Sequence, residues 1–243
     1  MKALILAAGK STRIAGHVGG LPKPLIPVAG EPIIAHTLRW LASHSITHCW
    51  VNLHYQPEPI REMLGDGSRY GVQIRYVHEP HILGTAGAVK NLEAQWDKEF
   101  LVVYGDNYLG FDLAALLVEH RRNQAVATVA LFDWDSDQHS GIAGGRVIMA
   151  PEGRITGFAE KGDGVLDSGS KWVNAGAYCL QPAICRLIPS GLFCDFGRDI
   201  FPRMLQENIA LAGFPIHSYC LAVDTVEALT KANQIVHAMG RHT

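Results

Sequence analysis

The chain has no excess of positive charge: 21 Lys and Arg stand against 23 Asp and Glu, a formal net charge of −2 over 243 residues. No basic run is interleaved with aromatics either, so the electrostatic footprint of a nucleic-acid binder is missing. No apolar run approaches bilayer length, since Gly, Pro or a charge interrupts each within about ten residues. No membrane span is expected. A charged n-region, apolar h-region and cleavage site find no room ahead of a functional-looking strand at the third residue, so export is not expected and a cytoplasmic location is. The 5 cysteines, Cys49, Cys179, Cys185, Cys194 and Cys220, are odd in number and lack a C-x-x-C pair. They read as reduced core thiols rather than a disulfide framework.

Several familiar frames are also missing. The 12 histidines include His44 and His48 four apart, without the Glu of an H-E-x-x-H frame, and no zinc site is read from them. Asp133-x-Asp135-x-Asp137 opens like a calcium loop but has Gln138 and Gly144 where that loop needs Gly and Glu. Asp195-Phe196-Gly197 has no H-R-D loop before it, and no Ser stands at a nucleophile elbow. No internal repeat is present, and the stretch after Asp224 is too short for an appended hexapeptide β-helix.

What is present is a chain with 48% hydrophobic residues, enough to bury a sizeable core in a single α/β domain over residues 1–243. Strand-like and helix-like periods alternate, which predicts a Rossmann-like, mostly parallel sheet flanked by helices. Expected strands are Ala3 to Leu6, Thr47 to Leu53, Val72 to Val77, Phe100 to Tyr104, Val126 to Phe132 and Ile216 to Val223. Expected helices begin at Pro32, with Ile34, Leu38 and Leu41 on one face, and cover Pro57 to Leu64, Thr85 to Trp96, Leu113 to Arg122, Gly197 to Glu207 and Thr225 to Ala238. Between Gly141 and Tyr178 the chain is richer in Gly and short strands, a smaller sheet region placed to close over a ligand.

The most informative stretch is Ala3-Leu4-Ile5-Leu6-Ala7-Ala8-Gly9-Lys10-Ser11-Thr12-Arg13, followed nine positions later by Pro22-Lys23-Pro24-Leu25. A buried strand opening into small residues delivers backbone N–H groups to a turn where an anion can sit. Arg13 supplies a fork of donors for phosphate oxygens. Lys23 projects from a segment stiffened by a proline on each side, with little freedom to lose on meeting a second phosphate. Gly9-Lys10-Ser11 matches the end of a nucleotide P-loop, but the first glycine of that pattern is replaced by Leu4 inside the strand. Farther on, Asp106 and Asp224 each follow an apolar strand, at the carboxyl edge where α/β sheets bind ligands. Two carboxylates so placed can share a Mg2+ ion, a hard cation that prefers carboxylate and phosphate oxygens.

Leu6-Ala7-Ala8-Gly9-x-Ser11-Thr12-Arg13 with Pro22-Lys23-Pro24-Leu25 resembles the sugar-1-phosphate nucleotidylyltransferases. Members usually carry Gly at the place of Ser11 and a Leu-x-Pro-Leu-Thr-like stretch at that of Ile14 to Gly20, so the loop here is unusually glycine-rich. The resemblance runs from Met1 to about Asn233. It implies the nucleotide-diphospho-sugar transferase fold, with a nucleotide-binding half to about residue 110 and a sugar-binding half beyond it. It implies catalytic roles for Arg13 and Lys23, and a Mg2+ held by Asp106 and Asp224. Leu83-Gly84-Thr85-Ala86-Gly87 resembles the segment that contacts the base, implying a nucleotide pocket of Ala7, Ala8, Gly9, Leu83, Gly84, Thr85 and Gly87. Phe158-Ala159-Glu160-Lys161 and Asn174-Ala175-Gly176 resemble the sugar-side motifs, so that Asn107, Glu160, Lys161, Asn174 and Gly176 are expected around the sugar phosphate.

The implied reaction joins a nucleoside triphosphate to a sugar-1-phosphate and releases pyrophosphate. The wording of the base segment favours GTP with a mannose- or heptose-type sugar phosphate, although uridylyl and cytidylyl relatives have close variants. A cytidylyltransferase for phosphocholine and a silent regulatory subunit are the alternatives. Self-association into a homo-oligomer is left open.

Overall fold

A computed structural model describes residues 1–9, 14, 16–136, 138–140, 144–160 and 170–239. In the first half the apolar periods become alternating strands and helices: β1 (Lys2–Leu6), a two-stranded ribbon of β2 (Pro27–Val28) and β3 (Glu31–Pro32), α1 (Ile33–Ser43), β4 (His48–Leu53), α2 (Pro57–Leu64), β5 (Gln73–His78) and α3 (Gly84–Asn91). β6 (Phe100–Tyr104) and the short β7 (Asn107–Leu109) lead into α4 (Leu113–Arg122), whose first turn is capped by the Asp112 carboxylate accepting from Ala114 N. The second half adds β8 (Ala127–Asp133), β9 (Arg146–Met149), β10 (Ile155–Ala159), β11 (Trp172–Leu180), α5 (Phe201–Gln206), β12 (Leu211–Pro215), β13 (Cys220–Ala222) and α6 (Val226–Met239).

One 9-stranded sheet runs in the order β10-β9-β11-β6-β1-β4-β5, with β8 beside β11 and β12 beside β8. β6, β1, β4 and β5 are parallel neighbours, whereas β11 runs antiparallel to β6, β8 and β9. The sheet is therefore parallel on its nucleotide side and mixed on the other. Because β1 is central, both of its faces are covered: Ile5 packs with Leu38, Val51 and Val103 on one side, Leu4 with Trp50, Phe100 and Val102 on the other. Alternation at period two assigns these residues to opposite faces. A smaller cluster of Ile14, Ile26, Val28, Leu221, Val223 and Ala232 ties α6 to the segment that carries Lys23. Each such buried aliphatic side chain contributes roughly 1.5–3 kcal/mol, enough to fix that segment against the body.

Three expectations are corrected. The stretch read as one strand from Ile216 to Val223 yields only β13, which lies outside the main sheet and pairs with β7. The strand of this region that joins the sheet is β12, parallel to β8. The helix expected from Thr85 to Trp96 stops at Asn91 and continues as a 3-10 turn over Glu93–Gln95, and that from Gly197 to Glu207 begins as a π-turn, Phe196–Ile200, before α5. Among the described residues no helix is long and apolar enough to cross a membrane, and all 5 cysteines are buried and free.

Candidate active site

Parallel register brings the carboxyl ends of three strands to one edge, with Leu6 beside both Asn52 and Tyr104. The β7–β13 ribbon then sets Asn107 opposite Ala222. Asp106 precedes one partner and Asp224 follows the other, so both carboxylates leave the same end of an antiparallel ribbon. This is the juxtaposition expected of them. Lys23 opens a 3-10 turn, Lys23–Leu25, flanked by Pro22 and closed by Leu25 N donating to Pro22 O at 2.9 Å. Its Nζ donates to Asp106 Oδ2 at 2.5 Å and pairs with Asp224 Oδ1. Burial opposes the ammonium, but the Asp106 and Asp224 carboxylates outweigh it and hold the lysine above its ordinary range.

These residues fit a divalent cation. Two oxygen donors already converge on one positive charge, and the donor set is hard. Among the described residues no group of 3 or more His, Cys, Asp or Glu could hold a metal, so further coordination positions would belong to phosphate and water, the usual arrangement for Mg2+ at a nucleotide.

Behind β1 the cleft opens to about 290 Å3, lined in part by Ala7, Ala8, Gly9, Lys23, Glu79 and Asp106. Among the described residues, no atom beyond its chain neighbours lies within 4 Å of where a Cβ on Gly9 would stand, leaving space for a ligand. The Ala7 N–H, by contrast, is spent on the protein: it donates to Asn52 Oδ1 at 2.8 Å. Asn52 Nδ2 donates to Glu79 Oε1 at 2.8 Å, and Leu83 N donates to Glu79 Oε2 at 3.1 Å. Asn52 is 3% and Glu79 1% exposed, so this chain of bonds satisfies a carboxylate set under the cleft. Sequence reading missed both residues. The available signal was a lone polar side chain in the apolar strand β4.

The small-residue turn lines the cleft with Gly84 and Thr85 and also receives a segment of the chain itself. Gly84 has φ +76, and a Cβ on it would stand 2.5 Å from Cys194 O. A Cβ on Gly87 would stand 3.0 Å from Leu192 O. On the side where a Cβ would stand, these glycines admit the chain's own backbone. The docked segment is held by Cys194 N donating to Leu83 O at 2.9 Å, and by Ala86 N and Gly87 N donating to Cys194 O at 3.0 and 3.1 Å. Thr85 Oγ1 donates to Asp195 Oδ2 at 2.8 Å and accepts from Phe196 N at 2.9 Å, while Asp195 Oδ1 accepts from Gly197 N at 3.0 Å. Asp195 and Phe193 thereby reach the cleft lining alongside Gly84 and Thr85.

On the expected sugar side, β11 bulges against β8 between Asn174 and Tyr178. Asn174 Nδ2 donates to Tyr178 Oη at 2.8 Å and its Oδ1 accepts from Gly176 N at 3.0 Å. Asn107 Nδ2 donates to Ala175 O at 3.0 Å. Both amides brace the bulge from within, at 6% and 4% exposure. Gly176, at φ +71, lets the bulge approach Asn107 Nδ2 and the Tyr104 ring, which would lie 2.8 and 2.9 Å from a Cβ. Glu160, just past β10, lies against Gly197, where a Cβ would strike its carboxylate. Arg13 and Lys161 lie outside the described residues.

An α/β domain with a lysine clamped between two carboxylates at the carboxyl edge of its sheet places that cluster where such folds bind their ligands. The chain matches the Nucleotidyl transferase family over residues 2–238 and belongs to it. It is 34% identical over 221 residues to the UTP–glucose-1-phosphate uridylyltransferase of Synechocystis, covering 86% of this chain and 56% of that protein. With the mannose-1-phosphate guanylyltransferase of Mycobacterium tuberculosis it shares 33% identity over 233 residues, 95% of this chain and 63% of that one. The chain thus spans less than two thirds of the length of these relatives. In three dimensions it superposes on HddC from Yersinia pseudotuberculosis, solved with GMP-PN, with a TM-score of 0.80 at 21% identity, covering 97% of this chain and 99% of that one.

Proposed function

We propose that this chain is a sugar-1-phosphate nucleotidylyltransferase that uses GTP, with a mannose- or heptose-type sugar phosphate as acceptor, in the cytoplasm. The observation that carries the reading is Lys23 held between Asp106 and Asp224 on one wall of the cleft. A phosphate oxygen of the sugar phosphate attacks the α-phosphorus, and the bond from that phosphorus to the bridging oxygen breaks, releasing pyrophosphate. The attacking group is already an anion, so no protein nucleophile is needed. Catalysis then consists of aligning two polyanions and neutralising charge as it builds.

Asp106 and Asp224 would hold a Mg2+ ion, which would supply Lewis-acid stabilisation of negative charge on phosphate oxygens. Lys23 exchanges its carboxylate partners for phosphate oxygens; its proline-flanked turn keeps that exchange short in reach. Arg13 is assigned to the leaving pyrophosphate, Lys161 to the sugar phosphate, and Glu160 to sugar hydroxyls. Support for GTP comes from the Leu83-Gly84-Thr85-Ala86-Gly87 segment, whose wording most resembles that of guanylyltransferases. The guanylyltransferase relative supports the same choice, and the uridylyltransferase relative makes UTP with a hexose phosphate the second reading.

Pyrophosphate release, measured with the four triphosphates against a panel of sugar-1-phosphates, tests the assignment. The largest kcat/KM is expected for GTP with a mannose- or heptose-type acceptor. Lys23→Ala and Asp106→Asn are each expected to lower kcat by orders of magnitude with the circular dichroism spectrum unchanged. Near-normal turnover in either variant sinks the proposed roles.

A further inference from the structure

We infer that Phe193 is a positioning residue that stacks on the nucleobase in the cleft that Ile82 also lines; this inference rests on the cleft being the nucleotide site. Large apolar side chains left in water at a cleft are unfavourable unless something covers them. Ile82 is 42% and Phe193 55% exposed, and both line the cleft that also contains Glu79, Gly84 and Asp106. The exposure of Phe193 is not that of a loose loop. Its neighbour Cys194 is fastened through N and O to Leu83, Ala86 and Gly87, and Asp195 is tied to Thr85.

Leu83 fastens this segment to the floor of the cleft. Its N–H donates to Glu79 Oε2, and its carbonyl accepts from Cys194 N at 2.9 Å. The backbone that carries Phe193 is therefore tied to the buried Asn52–Glu79 pair beneath the cleft. Gly84 and Gly87 are small so that the Phe193-bearing segment can seat against the start of α3. A side chain on a fastened backbone has less freedom to lose when a planar base covers it. Stacking is also indifferent to base identity, because every base has a π face. General grip on the base is thus assigned to Phe193.

Calorimetric binding of GTP, ATP, CTP and UTP, and of inorganic tripolyphosphate as a ligand without a base, tests this on the full chain. Phe193→Ala is expected to weaken every triphosphate that the wild type binds by about 10-fold, with the order among bases kept and tripolyphosphate binding unchanged. Phe193→Tyr restores the affinity, and Phe193→Leu, which keeps apolar bulk without a π face, restores less. Unchanged GTP binding in Phe193→Ala overturns the inference alone. So does an equal loss for GTP and tripolyphosphate, or full rescue by Leu. A wild-type chain that binds none of the four triphosphates overturns the proposed function and this inference with it.

Discussion

Replacing Gly84 by Ala separates the cost of an unusual backbone conformation from the cost of displacing the segment around Cys194. Gly84 (φ +76) and Gly30 (φ +86) both sit in the left-handed region, but no atom lies within 4 Å of a Cβ at Gly30, whereas at Gly84 it would stand 2.5 Å from Cys194 O and 3.0 Å from Cys194 C. An L-residue held in that conformation costs about 1–2 kcal/mol, a penalty the two variants share. The entropy that Ala removes from the unfolded chain is also common to both. Only Gly84→Ala must push a backbone carbonyl away. That carbonyl accepts from Ala86 N and Gly87 N, and losing net bonds of about 0.5–1.5 kcal/mol each adds about 1–3 kcal/mol. For a chain of this size that corresponds to about 2–12 °C. Thermal unfolding of the two variants side by side is expected to show Gly84→Ala falling below Gly30→Ala by this margin, and calorimetry to show weaker GTP binding in Gly84→Ala alone. Equal losses of Tm, or undiminished GTP affinity in Gly84→Ala, refute the docking argument.

Asn52→Ala removes the shared partner of Ala7 N and Glu79 Oε1. Leaving buried polar groups unbonded costs about 1–3 kcal/mol each, so urea unfolding at constant m is expected to lose about 2–6 kcal/mol for the two groups; a loss under about 1 kcal/mol contradicts the bracing role. His120 gives an acid-sensitive contribution: burial lowers its pKa, with Glu99 opposing and Arg121 assisting, while Nδ1 meets Thr128 Oγ1 at 2.8 Å and Nε2 meets Gln181 Nε2 at 3.0 Å. Below about pH 6.5 the unfolded chain takes up a proton that the folded chain refuses, so this contribution is complete above that pH and declines as pH falls. Tm measured from pH 7.5 to 5 is expected to drop less steeply in His120→Gln than in the wild type, and parallel curves contradict it.

The fold was legible where periodicity and burial agree. Ile34, Leu38 and Leu41 share one face of α1 and are all fully buried, because a 3.6-residue period leaves only one face for a core. Strand direction was not legible, since alternation is the same in parallel and antiparallel strands. That is why β11, which reads as an ordinary apolar strand, turns out to run against β6. β12 escaped notice because Leu211–Pro215 is short, contains Gly213 and ends on a proline. Such a strand survives at the border of a sheet, where the missing N–H leaves no neighbour unpaired. The expected strand from Ile216 fails at His217 and Ser218, beyond which only three residues pair with β7.

Within the site, charged residues were easier to place than small ones. A carboxylate after a buried strand has one direction in which to emerge, so Asp106 and Asp224 could be assigned to a common edge before any contact was known. Small residues announce a close approach without naming what approaches. At Gly84 the approaching atom is Cys194 O, and at Gly176 it is the amide of Asn107 with the ring of Tyr104. In both places the side that a Cβ would occupy is filled by the protein itself. The Asn52–Glu79 pair could not be singled out from the sequence because its partners stand 27 residues apart, nor could the docking of Cys194, which runs through a carbonyl at Leu83 that no residue type reveals.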